Sequence, residues 1–179
     1  VLTLTSTAGM SGLINVAVTG TAGLTGTFAA TTMKTIDTSG TTGKATITFD
    51  ATKATYTGGA GVDAVTTSAI APTKAISLGA GDDSLTLASG TAAVTGAISG
   101  GDGTDTLVMV AADIVTADND LAFSALVTGF EALTVTGGTG AQAINLTNMA
   151  ITSNITVATG AGTLTVNNIA NGGTLTLTG

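Results

Sequence analysis

The chain contains no cysteine, no histidine, no arginine and no tryptophan, with a single proline and a single tyrosine. Without Cys there are no disulfides, a composition compatible with secretion. Without Cys and His the common nucleophile–base pairs of covalent catalysis are missing. Charge is scarce: 8% of residues, with four Lys against eleven acids and a net charge of −7. So few cations exclude the basic footprint of a nucleic-acid binder. No apolar run is long enough to cross a membrane, and no signal-peptide pattern opens the sequence. Aromatics are only 3%, so a glycan-binding platform has little beyond Tyr56 and four Phe to be built from.

What is present is Thr, Ala, Gly, Val, Leu and Ile. Hydrophobic residues make up 44% and Gly numbers 26, too apolar and too little charged for disorder. The length of 179 residues suits one domain. The sequence opens "VLTLTSTAG" and closes "GGTLTLTG", both alternating as strands do. The expectation is a segment of a longer polypeptide.

Repetition is the dominant signal. "GGAGVDAVT" spans 58–66, "LGAGDDSLT" 78–86 and "GGDGTDTLV" 100–108. Each has Gly at its second and fourth positions, Asp at its sixth and an aliphatic at its eighth. Weaker copies start at Thr19, Ser39, Gly137 and Thr159, with Leu24, Lys44, Gln142 and Leu164 at the sixth position. The gap from 100 to 137 fits two turns, the middle one degenerate near "TADND", 116–120.

A constant period of about 20 residues with short alternating strands predicts an all-β parallel β-helix, or β-solenoid, of two or three strands per turn. Thr-X-Thr alternation, as in "ATITF" (45–49) and "TLTVN" (163–167), places aliphatics inside and threonines outside. An antiparallel β-sandwich also has short strands and frequent turns, but it gives no reason for a constant period. The expected layout is one solenoid over 1–179: N-terminal turns over 19–66, acidic turns over 58–108, a short helical insertion within 111–133, and C-terminal turns over 134–179. In the insertion, Asp120 is placed to cap "LAFSAL". Phe123 and Phe130 read as anchors of a lid on one face rather than as a binding protrusion.

One turn per repeat stacks Asp63, Asp83 and Asp105 on one edge, about 4.8 Å apart. Carboxylates that close repel one another, and a row of divalent cations would neutralise them. Hard anionic oxygens and converging carbonyls suit Ca²⁺. The candidate ligands are Asp63, Asp83 and Asp105, with Asp82 and Asp102 as extra carboxylates in the same loops. Gly59, Gly61, Gly79, Gly81, Gly101 and Gly103 are candidate sources of backbone oxygens. The alternative for each loop is a polar turn, since Gly and Asp are ordinary turn residues. The weaker copies offer no carboxylate at the sixth position, which confines metal to the middle of the chain.

These loops match the G-G-x-G-x-D-x-(apolar)-x nonapeptide of the RTX family, fully in "GGAGVDAVT" and "GGDGTDTLV" and except for the first Gly in "LGAGDDSLT". The segment from Tyr56 to Val135, which includes "GFEALTV" (129–135), resembles the calcium-binding region of RTX-type bacterial surface-layer proteins. Outside it the likeness is one of composition. The resemblance implies Ca²⁺ as cofactor, type I secretion, folding outside the cell and self-association in a surface lattice. It also implies contact with cell-surface polysaccharide through regions outside this segment, and no membrane insertion. The alternative is a stalk or repeat module of a large RTX adhesin. In secreted RTX toxins the nonapeptides often run back to back; here they recur once per turn, so one edge alone would carry metal. A polysaccharide-active β-helix enzyme shares only the fold and lacks a cationic groove, because Lys34, Lys44, Lys53 and Lys74 are scattered.

Overall fold

The computed structural model describes residues 1–5, 12–68, 71–90, 93–137, 141–151, 153–158 and 163–178. The parts of the weaker copies near 138–140 and 159–162 lie outside the described residues. Nine parallel strands form one long sheet: β1 (Leu2–Thr5), β3 (Leu24–Phe28), β5 (Thr46–Phe49), β7 (Ala64–Thr67), β9 (Ser84–Thr86), β11 (Thr106–Val110), β13 (Ala132–Thr136), β15 (Asn154–Ala158) and β17 (Thr174–Thr178). A second parallel sheet holds β2 (Asn15–Gly20), β4 (Thr35–Thr41), β6 (Thr55–Thr57), β8 (Ile76–Ala80), β10 (Ile98–Asp102) and β12 (Val127–Thr128). Successive turns lay each strand on the equivalent strand one turn back. The chain is a β-solenoid of about eight turns and about 21 residues per turn.

The strand register shows why this sequence stacks. Leu4, Gly26, Ile47, Val65, Leu85, Leu107, Leu133, Ile155 and Leu175 form one column. From Ile47 to Ile155 this column is buried. The adjacent column reads Thr5, Thr27, Thr48, Thr66, Thr86, Val108, Thr134, Thr156 and Thr176. From Thr27 onward it is exposed or half-buried. Period-2 alternation thus sends aliphatics in and threonines out, as the sequence predicts. In the second sheet, Val16, Ile36, Tyr56, Ile76, Ile98 and Val127 align as an inward column, all buried. No turn can bury these aliphatics alone, so each depends on its neighbours.

Two expectations are corrected. The stretch after the third acidic loop is one long turn, not two: Thr106 pairs with Ala132. The "TADND" residues form no strand; 116–117 end helix α1 (Ala111–Ala117) and 118–119 are a turn. Ala-rich "AADIVTA" favours helix, and Ala111, Ile114 and Ala117 are buried. The predicted helix is also present as α2 (Leu121–Leu126), with the Asp120 carboxylate accepting from the Ala122 N–H at 2.9 Å. Phe123 and Phe130 are buried, as anchors should be.

The second correction concerns the C-terminal copies. β14 (Gln142–Asn145) and β16 (Leu164–Asn167) pair with each other in a separate two-stranded sheet. Gln142 and Leu164 therefore do not continue the aspartate column. α1 packs against β14, and the second sheet ends at β12.

Candidate metal centre

The acidic loops link the second sheet to the long sheet, just ahead of β7, β9 and β11. The pairings Ala64↔Ser84 and Ser84↔Thr106 place Asp63, Asp83 and Asp105 in one column. Their relative exposures are 2%, 2% and 0%, so these are interior carboxylates rather than solvated turn residues.

Each carboxylate has a structural partner. The Ala45 N–H donates to Asp63 Oδ1 at 2.6 Å, and the Asp63 N–H to Asp83 Oδ1 at 2.6 Å. The Asp83 N–H donates to Asp105 Oδ1 at 2.8 Å, and the Asp105 N–H to Glu131 Oε2 at 2.8 Å. Each N–H lies at the entry to a strand, where a buried donor without a partner would be costly. The carboxylate one turn later supplies the acceptor.

The column therefore runs Ala45, Asp63, Asp83, Asp105, Glu131. Ala45, not Lys44, is the residue aligned with Asp63, because Thr46 pairs with Ala64. Glu131 is a fourth carboxylate that spacing alone missed. The signal was present in a shorter phrase: Gly61-Val-Asp63, Gly81-Asp-Asp83, Gly103-Thr-Asp105 and Gly129-Phe-Glu131 each place the acid two residues before an aliphatic.

The second carboxylate oxygens divide the column. Asp63 Oδ2 accepts from the Tyr56 hydroxyl at 2.8 Å, and that hydroxyl lies 3.0 Å from Thr38 Oγ1. Asp83 Oδ2 and Asp105 Oδ2 are buried without a hydrogen-bond partner. The cause lies in the second sheet, where Tyr56 aligns with Ile76 and Ile98. Those residues stand seven positions before Asp83 and Asp105, as Tyr56 does before Asp63, and they carry no hydroxyl.

Burial raises all three aspartate pKa values. Asp83 is lifted to about 6, first by desolvation, with the Asp63, Asp105 and Asp82 charges pushing the same way against the pull of the Asp63 N–H. Asp63 and Asp105 shift upward for the same leading reason. Burial likewise pushes the Tyr56 phenol up, so it is a proton donor at any ordinary pH.

The candidate glycines are required by stacking. Gly81 (φ +136°) and Gly103 (φ +137°) adopt a backbone conformation that side-chain-bearing residues rarely take. A Cβ on Gly81 would lie 2.7 Å from the Gly61 carbonyl oxygen, and one on Gly103 would collide with the Gly81 oxygen. Gly79 and Gly101 lie similarly against the carbonyls of Gly59 and Gly79. The Gly59 oxygen also accepts the Ala80 N–H at 2.8 Å. The Gly61 column continues back to Gly43 and Gly23, where the carboxylate column holds Ala45 and Leu24. Glycine thus serves close backbone approach even where no acid is present.

Asp82 and Asp102 stay outside the buried column. Both are exposed; Asp82 Oδ1 accepts the Thr104 N–H at 2.9 Å, and Asp102 offers its backbone carbonyl to the Gly81 N–H at 2.9 Å.

Among the described residues no three His, Cys, Asp or Glu side chains group to hold a metal ion. Carboxylates alone therefore make no cage. A cation at this edge would draw on Asp83 Oδ2 and Asp105 Oδ2 and complete its shell from backbone carbonyls. That all-oxygen donor set fits Ca²⁺, and two buried anionic oxygens without donors call for a positive charge or a proton.

No protein-family description matches the chain, and no curated protein or solved structure is significantly similar to it. Among the described residues no helix is long and apolar enough to cross a membrane.

Proposed function

We propose that this chain is a non-enzymatic, calcium-stabilised structural module of a secreted bacterial surface-layer protein. The observation that supports it is the buried carboxylate column with unpartnered oxygens at Asp83 and Asp105, set in loops that resemble RTX nonapeptides. When bound, Ca²⁺ would supply the charge that neutralises this edge. The chain's own residues do the rest: Oδ1 of each aspartate holds the backbone of the preceding turn, and Oδ2 of Asp83 and Asp105 faces the cation. The glycines let the loops approach closely enough to share it.

Extracellular calcium modules bind at roughly 10⁻⁴–10⁻³ M. At that affinity the edge is empty where calcium is scarce, and the mutual repulsion of its acids keeps the central turns loose. The chain then stays export-competent inside the cell and consolidates outside, where it joins a lattice with other copies. The same edge would serve in the stalk of a large adhesin.

Thermal unfolding in chelator and in millimolar Ca²⁺ tests the reading. A ligand held only by the folded state adds about 2.7 kcal/mol at a hundredfold excess over Kd, so calcium should raise the melting temperature clearly. Identical melting curves would refute it. Imaging the protein with and without Ca²⁺ separates the two roles: calcium-dependent ordered sheets mark the lattice, and isolated extended rods mark the adhesin.

A further inference from the structure

We propose that the Tyr56 hydroxyl stands in for a cation at the N-terminal end of the carboxylate column, so that the Asp63 loop closes without metal and calcium is confined to the turns of Asp83 and Asp105. This rests on the calcium reading above and narrows it, because the nonapeptide pattern alone treats the three loops as equivalent.

The three aspartates share a column, a burial and an Oδ1 partner of the same kind. They differ at Oδ2, and Asp63 alone also has the Gly59 N–H and the Lys44 charge nearby. At Asp63 a neutral donor on the core side, the phenol of Tyr56, meets the oxygen at 2.8 Å. The hydroxyl is itself held near Thr38 Oγ1, which contacts the Thr57 carbonyl at 3.1 Å, and the Tyr56 ring lies 6.1 Å from that of Phe49. Tyr56 is 1% exposed, so this donor is fixed by packing. A cation at Asp63 Oδ2 would have to displace this packed donor from the carboxylate. At Asp83 and Asp105 no hydrogen-bond donor has to be displaced. Tyr56 thus ends the ion row from the N-terminal side, one turn inside the limit set by the sequence motif.

Calcium titration calorimetry on the whole 179-residue chain, stripped with chelator, tests this with Tyr56→Phe, Asp63→Asn and Asp83→Asn. Tyr56→Phe removes one oxygen and takes the phenol donor away from Asp63 Oδ2; it should bind one ion more than the parent. Asp63→Asn should bind as many ions as the parent, and Asp83→Asn fewer. Tyr56 is the sole tyrosine and there is no tryptophan, so the tyrosine band of the parent's near-ultraviolet spectrum reports on this phenol alone. It should stay unchanged as calcium saturates. Loss of an ion in Asp63→Asn, no gain in Tyr56→Phe, or a tyrosine difference spectrum that tracks calcium would overturn the inference and leave the calcium reading standing. A parent chain that takes up no calcium would overturn both.

Discussion

The Asp63 N–H donates to the Asp83 carboxylate at 2.6 Å across one turn of the solenoid. The same oxygen-to-backbone step recurs at Asp105 and Glu131. Asp83 and Asp105 therefore each have two tasks: one oxygen locks the preceding turn, and the other is left without a donor.

These two tasks can be separated at Asp83. Asp83→Asn keeps an acceptor for the Asp63 N–H and removes the buried charge, so in chelator it should melt no lower than the parent and in calcium gain less. Asp83→Ala removes the acceptor as well. A buried N–H left without a partner costs about 1–3 kcal/mol, so the alanine variant should melt lower in both conditions. Paired thermal melts of the two variants check this; equal behaviour would show that the charge alone matters.

Stability should depend on pH in a direction opposite to ordinary acid unfolding. The Asp83 carboxyl binds its proton up to about pH 6 in the folded chain, against about 3.9 in an unfolded one. The folded state holds the extra proton between those values, so stability is greatest near or below pH 4 and falls as pH rises through 6. Asp63 and Asp105 shift the same way. Urea unfolding in chelator should give a higher midpoint at pH 5 than at pH 7.5. Millimolar calcium should narrow the difference, because metal binding requires the deprotonated carboxylate.

The glycine columns predict a sharp positional contrast. Gly103→Ala forces a Cβ against the Gly81 carbonyl at a positive φ; it should cost more than the roughly 1–3 kcal/mol of backbone strain alone. Gly12→Ala meets nothing within 4 Å and should be neutral or mildly stabilising. Denaturant midpoints for the two variants decide it.

In the helical insertion, Asp120→Ala removes the side-chain acceptor of the Ala122 N–H and should cost about 1 kcal/mol. Phe123 is 1% exposed, and Phe123→Ala should cost about 3–5 kcal/mol. If α2 instead served as a protruding contact, both changes would leave the unfolding midpoint where it is.

The repeat period, the inward aliphatics, the outward threonines and the stacked acidic loops were all legible in the sequence. Each follows from alternation along a strand and from repetition along the chain, and both are one-dimensional properties. The Asp120 cap was legible for the same reason: a cap and its helix are neighbours. Register between turns was not. Turn length varies, with Thr46 pairing with Ala64 but Thr106 with Ala132. Counting at a fixed period therefore put Lys44 where Ala45 stands and passed over Glu131. The roles of the two aspartate oxygens, and the meeting of Tyr56 with Asp63, were decided by tertiary structure alone. A residue of the second sheet meets a residue of the loop only when the chain closes its turn. Whether that residue is Tyr or Ile then determines if a buried oxygen finds a proton donor.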